Sequence, residues 1–186
     1  MPLNTVYLDK IYVFDLEEIP SELHNQLYKL ISNEFLNSVF GYIGGRNICL
    51  NNIQDKIVPE FTSQLYKIFY SLSKEILGTV TLSESNSKTC WANLSDADYY
   101  LSSIHNHKNT ATVNGVYYFN MPENCGGELD FYNNDNEIIQ TIMPKQNQLI
   151  LFPGYLNHKN RYCNSKQFRI SINLEITCNE TFKNYN

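Results

Sequence analysis

Nothing in this chain approaches the ~20 consecutive apolar residues needed to cross a bilayer as a helix. Met1-Pro2-Leu3-Asn4 also lacks the basic and apolar regions of a signal peptide, so a cytoplasmic location is expected. Cysteine is sparse. The five residues (Cys49, Cys90, Cys125, Cys163 and Cys178) are scattered, odd in number and without a Cys-x-x-Cys pair, which argues against a disulfide framework or zinc ribbon and reads as reduced thiols. Excess positive charge is missing too. A net charge of −5 and a pI near 5.3 disfavour a protein that grips phosphate backbones non-specifically. No internal repeat and no Pro/Gly/Ser-rich linker divides the sequence.

What is present reads as one globular domain. With 42% hydrophobic and 18% charged residues, 186 residues suffice to bury a real core. The texture changes near residue 88. Before it, residues 5–15 are β-branched and aromatic enough for one or two strands. A helix then starts at Pro20/Ser21 and carries Leu23, Leu27, Leu30, Ile31 and Phe35 on one stripe. A second helix, from about Pro59 to Leu77, puts Phe61, Leu65, Ile68, Phe69, Leu72 and Ile76 on its apolar face, with Gly78 as the C-cap. Neither helix has a convergent polar set, and both read as a layer packed on a sheet. After residue 88 short strands dominate, at 88–94, 100–107, 112–120, 127–132, 137–143, 148–152 and 168–177, which points to a sandwich or jelly roll. The expected organisation is a helical support segment at 1–87, a jelly-roll core at 88–177 and a tail at 178–186.

Three of the four histidines stand out. In Ile104-His105-Asn106-His107 two imidazoles lie two residues apart, which on a strand puts both on one face. His158 follows after about fifty residues, beside another apolar run. A lone histidine is usually a core or surface residue, but a pair plus a third from another strand end can form a facial metal site with open positions. His24, alone on the edge of a helix stripe, reads as surface. The letters His-Asn-His also label a nuclease motif, but that motif spreads them over a ββα unit with a phosphate-binding surface, whereas here they are contiguous in an acidic chain.

Further on, Phe168-Arg169-Ile170-Ser171-Ile172-Asn173-Leu174 alternates, so Arg169, Ser171 and Asn173 share one face. That face either meets water or lines a barrel. In a barrel the planar fork of Arg169 would need a carboxylate, which it matches bidentately. No Ser-His-Asp or Cys-His arrangement is evident, and Cys163 reads as an ordinary buried thiol.

With these residues placed, the second half resembles the Fe(II)/2-oxoglutarate-dependent dioxygenases, and more closely a group of 2OG-Fe(II) oxygenases of marine phage and bacteria. The matching stretches are Trp91-Ala92-Asn93, His105-Asn106-His107, Asn114-Gly115-Val116-Tyr117-Tyr118, Pro122-Glu123-Asn124, Gly126-Gly127-Glu128-Leu129, Leu149-Ile150-Leu151-Phe152-Pro153, His158 and Arg169-Ile170-Ser171. The resemblance implies a mainly β fold, a double-stranded β-helix (jelly roll, cupin-like), with an N-terminal α/β segment supporting the major sheet. It implies Fe(II) as the metal and 2-oxoglutarate as cosubstrate with O2. The activity implied is hydroxylation of an unidentified substrate with release of succinate and CO2. By the same resemblance His105 and His158 are ligands, Arg169 grips the remote carboxylate of 2-oxoglutarate, and Ser171 and Tyr118 assist.

The departure is His107, which stands where the family has Asp or Glu. Either three neutral imidazoles bind the metal, its charge offset by the dianionic cosubstrate, or His107 is no ligand and Glu128 or Asp130 supplies an oxygen. A non-catalytic or degenerate metal-binding jelly-roll module is the competing class, and a hydrolase on the same fold a third. Tyr99, Tyr100, Tyr155 and Arg161 are candidate substrate contacts at the mouth of the site. A homodimer is conceivable from the 14 tyrosines, long nucleic acid is disfavoured, and the resemblance places the protein in the cytoplasm of a bacterium or phage-infected cell.

Overall fold

In the computed structural model, residues 10–37, 47–78, 82–83, 90–98 and 103–178 are described. Strand β1 (Tyr12–Asp15) precedes helix α1 (Ser21–Asn37). Strand β2 (Asn47–Cys49) and a short 3-10 turn (Leu50–Asn52) lead into helix α2 (Ile57–Leu77). The remaining strands are β3 (Leu82–Ser83), β4 (Trp91–Ser95), β5 (Val113–Asn120), β6 (Leu129–Tyr132), β7 (Ile138–Ile142), β8 (Gln148–Pro153), β9 (Asn157–Asn160) and β10 (Arg169–Cys178). No described helix is long and apolar enough to cross a membrane.

Both helices begin and end where local chemistry permits. Ser21 opens α1. At the start of α2, Asp55 accepts the Ile57 N–H at 3.1 Å, and Pro59 occupies the first turn, where a missing donor costs nothing. At its end the Gly78 N–H closes onto the Lys74 carbonyl at 2.9 Å. Along α2 the buried positions are Val58, Thr62, Leu65, Phe69, Ser73 and Leu77. Ile68, expected on the apolar face, is 42% exposed. The buried stripe is centred one residue further round, and an isolated exposed isoleucine is tolerated at small cost.

The strands form two antiparallel sheets. The major one runs β1-β8-β5-β10-β4-β2, with β3 added beside β10, and the minor one runs β7-β6-β9. Three strands of the major sheet therefore come from before residue 88, so that segment contributes sheet as well as helices. Strand β9 was not expected, because Asn-His-Lys-Asn carries no β-propensity. It exists because β6 pairs with it from Leu129↔Asn160 to Tyr132↔Asn157. The expected strand at 100–107 is absent from its described part. There only His105 makes a bridge, to His158, while the Asn106 side-chain Oδ1 accepts the Lys108 N–H at 3.3 Å and turns the chain.

Side-chain alternation separates two cores. The outward-facing Val113, Tyr117 and Phe119 of β5, Leu149 and Leu151 of β8 and Ile170, Ile172, Leu174 and Ile176 of β10 pack with Leu27, Ile31, Leu65 and Phe69 of the helices. The inward-facing Val116 and Tyr118, with Ile150 and Phe152, meet Leu129 and Phe131 of the minor sheet. Covered on both faces, β5 and β8 read as nearly unbroken apolar runs. His24, expected at the surface, instead stacks on Phe119 with ring centroids 4.6 Å apart, and its Nε2 reaches the Phe119 carbonyl at 3.1 Å. The end of β5 offers an unpaired carbonyl and an aromatic face, and α1 supplies a ring that satisfies both.

Helix α2 seats on β5 where the strand has no side chain. A Cβ at Gly115 would fall 2.7 Å from Phe69 Cε2, well inside van der Waals contact. Gly115→Ala should cost about 1–3 kcal/mol through overpacking. In a Phe69→Leu background the same change should cost less. Urea unfolding of the two single variants and the double variant checks this non-additivity.

Candidate metal centre

His105, His107 and His158 meet at one end of the space between the sheets. His158 lies on β9, opposite Phe131 in register, and its ring sits 4.7 Å from that of Phe152. His105 reaches it through an exchanged pair of backbone bonds: the His105 N–H donates to the His158 carbonyl at 3.1 Å, and the His158 N–H to the His105 carbonyl at 2.8 Å. His107 is held by the turn after β8, where its N–H donates to the Gly154 carbonyl at 2.7 Å. Asn106 donates from its amide to Asn157 at 2.7 Å and ties the same two segments. Ring centroids are then 4.4 Å (His105–His158), 5.2 Å (His105–His107) and 5.2 Å (His107–His158) apart. One ring nitrogen from each lies within 4.8 Å of the other two.

Every Nδ1 has an oxygen partner. His105 Nδ1 lies 2.9 Å from the Ser103 carbonyl, His158 Nδ1 2.9 Å from the Leu156 carbonyl, and His107 Nδ1 2.7 Å from Glu175 Oε1. Carbonyl and carboxylate oxygens can only accept, so each Nδ1 carries the proton and each neutral ring keeps its lone pair on Nε2. That is the state a divalent cation requires. Burial, reinforced by His105 and His107 and opposed by the Leu156 bond, pushes His158 down from 6.5 to about 3. Burial also lowers His105, against its bond to Ser103 and with help from His107. Exposure is graded, from buried His158 through half-buried His107 to exposed His105, so the group opens to solvent on the His105 side.

The anion arm lies on the inward face of β10. Arg169 is only 1% exposed, and its Nη1 donates to the Gly127 carbonyl at 2.9 Å. Its Nε is buried without a partner, as is the hydroxyl of Tyr118, which sits opposite Ser171 in register. Burial raises the Tyr118 phenol to about 12 against the lowering effect of Arg169, so it remains a neutral donor. Asn114, further along the same face of β5, has neither amide oxygen nor nitrogen partnered. Asn114 was not singled out from the sequence, and the available signal was a polar amide inside an apolar strand. Three polar groups thus share one face with unused hydrogen-bonding capacity, a costly arrangement unless a ligand satisfies them.

The other expected residues fall elsewhere. Asp130 is no candidate ligand. It lies on the outer face of the minor sheet, where Arg161 forks onto it (Nε–Oδ2 2.6 Å, Nη2–Oδ1 2.9 Å) and Thr141 donates at 2.6 Å. Arg161 is therefore committed to that fork, on the side of the strands away from His158, and does not line the mouth of the site; β-strand alternation, invisible without β9, decides this. Glu128 is half-buried and does not join the imidazole group. Tyr155 is 47% exposed in the same turn as Gly154. Tyr99 and Tyr100 lie outside the described residues. Cys163 is fully buried and bridges Gly126 through its backbone.

Residues 95–176 match the family model of the 2OG-Fe(II) oxygenase superfamily. Over those residues the chain resembles that superfamily. No curated protein matches its sequence. Among solved structures it is similar to a Trichoplax adhaerens prolyl hydroxylase in complex with a hypoxia inducible factor peptide, at 17% identity and a TM-score of 0.67 over 90% of this chain and 83% of that one. A Pseudomonas putida prolyl-4-hydroxylase gives 14% identity and 0.59, over 86% of this chain and 88% of that one. The viral collagen prolyl hydroxylase of Paramecium bursaria Chlorella virus-1 gives 13% and 0.61, over 90% and 89%. At these identities the likeness establishes the shared jelly-roll fold. That superfamily implies Fe(II) and 2-oxoglutarate, and the observed residues fit both: three Nε2 lone pairs face one another, and a buried guanidinium has an unused donor.

Two predictions follow from this geometry. Because the folded pKa of His158 lies below its unfolded value, the unfolded chain binds the extra proton. Stability of the metal-free protein is therefore full above about pH 6.5 and lost as pH falls toward 3, at about 1.4 kcal/mol per pH unit. Urea midpoints across that range should fall less steeply in His158→Gln. Separately, Gly127 has φ 79°, and a Cβ there would lie 2.7 Å from Arg169 Nη1. Gly127→Ala should displace the guanidinium and weaken 2-oxoglutarate binding by about tenfold or more, measured by calorimetry, with metal content unchanged.

Proposed function

We propose that this oxygenase holds Fe(II) through Nε2 of His105, His107 and His158, and binds 2-oxoglutarate through Arg169, Ser171 and Tyr118. It hydroxylates a substrate while releasing succinate and CO2. The observation that carries this reading is the pairing of three Nδ1-anchored imidazoles with a buried, incompletely bonded arginine on the inward face of β10. We read residues 1–186 as one domain in which the segment before residue 88 supports the jelly roll.

Bound Fe(II) supplies O2 activation coupled to oxidative decarboxylation of the cosubstrate. The chain supplies everything that orients it. The planar fork of Arg169 matches a carboxylate, and Gly127 holds that fork from behind. The Tyr118 hydroxyl and the Ser171 hydroxyl, neighbours across β5 and β10, add donors to the same anion. Leu129, Phe131, Ile150 and Phe152 form an apolar wall beside the imidazoles that keeps water from the reacting atoms. The exposed side of His105 leaves an approach for substrate, with Tyr155 at its edge. Prolyl hydroxylases share the fold, so proline-containing peptides are the first substrates to offer.

Protein loaded with Fe(II) and 2-oxoglutarate without oxygen should show a weak visible charge-transfer band. Admission of air should then yield succinate even without the true substrate. Arg169→Ala should retain metal but lose at least about 30-fold in succinate formation at limiting 2-oxoglutarate, since removing one partner of a buried charge pair costs about 2 kcal/mol or more. A folded, metal-loaded protein giving neither band nor succinate would instead be a non-catalytic metal-binding module, and unchanged turnover in Arg169→Ala would remove that residue from the role.

A further inference from the structure

The family pattern has a carboxylate where this chain has His107, yet a carboxylate is close at hand. Glu175 Oε1 lies 2.7 Å from His107 Nδ1, and Thr110 donates its hydroxyl to the same oxygen at 3.3 Å. Thr110 is itself anchored, its carbonyl accepting from the Thr177 hydroxyl at 2.9 Å. The three imidazoles are not treated alike. His105 and His158 each donate to a backbone carbonyl two residues before them, which is local and neutral. His107 alone donates to a charged side chain, and that side chain comes from a distant strand.

We propose that Glu175 is a positioning residue for the metal. It holds the His107 ring with Nε2 toward the cation and restores, one hydrogen bond removed, the negative charge that a carboxylate at position 107 would supply. The inference rests on reading the three imidazoles as ligands. Three neutral ligands leave a divalent cation with its full charge in a partly buried site. A charge-assisted bond from Nδ1 is about twice as strong as a neutral one and makes Nε2 a better donor to the metal. Placement adds a second consequence. Arg169, Ser171 and Glu175 stand on one face of β10, so a single strand carries both the anion arm and the metal's charge partner.

The test uses Co(II) as the probe, titrated into the metal-free full chain and followed by its visible ligand-field bands, with affinity set by competition against a chelator. Wild type should bind one Co(II). Glu175→Gln keeps an oxygen that can accept the Nδ1 proton but loses the charge, and should bind about 10–100-fold more weakly with shifted bands. Urea unfolding of the metal-free variant checks that its fold is retained. His107→Asp restores the carboxylate ligand, and in that background Glu175→Gln should no longer weaken binding. Equal affinity and spectra for wild type and Glu175→Gln would overturn the role of Glu175 while leaving the three ligands in place. An equal loss in both backgrounds would overturn it as well, because the effect would not pass through His107. Failure of wild type to bind Co(II) would overturn the ligand reading itself, and this inference with it.

Discussion

The candidate metal centre depends on where three ring protons are held. An imidazole is a ligand only while its second nitrogen is kept busy and its lone pair is aimed. Here each Nδ1–H is given to an oxygen that can do nothing but accept, so the three Nε2 lone pairs are left together. The backbone makes this possible. The exchange of N–H and C=O between His105 and His158 draws an irregular segment onto the end of a short strand, and the Gly154 carbonyl fixes His107 beside them. Without that local sheet-like clasp, residues 53 positions apart in the sequence would have no common point.

The interior between the sheets is built on a second constraint, the burial of a guanidinium. A charge at 1% exposure is costly unless its donors are used. Arg169 gives one bond to the Gly127 carbonyl and leaves Nε unsatisfied next to an equally unsatisfied Tyr118 hydroxyl. A folded protein keeps such an arrangement where a ligand completes it. The outward residues of the same strand, Ile170, Ile172, Leu174 and Ile176, are wholly apolar and pack beneath the two helices. The helices thus stabilise the strand from outside while its inner face is kept for chemistry. Glu175 extends that division of labour toward the metal.

Much of the architecture was legible because its signals are periodic. The two helices, the alternation of Arg169, Ser171 and Asn173 against isoleucines, and the His-x-His spacing all follow from side chains repeating at the pitch of their element. The misreadings came from contacts between elements. Asn157–Asn160 became a strand only because β6 offered it a partner, and that strand decided that His158 faces inward while Arg161 and Asp130 face outward. His24 looked like a surface residue because nothing near it in sequence reveals Phe119. Residues 103–107 looked like a strand because of their composition, but an asparagine side chain competes for the backbone and turns it.

By itself the sequence determined the residue types and their order: paired imidazoles, a distal imidazole, then an arginine on an alternating strand. Those are consequences of local covalent order and strand periodicity. Only the tertiary structure decided which nitrogen of each ring is free, that the guanidinium turns inward, that Asp130 is occupied by Arg161, and that Glu175 stands behind His107. Apart from the local Nδ1 bonds of His105 and His158, these are settled by hydrogen bonds between segments remote in the chain, and such bonds leave no trace in spacing or composition.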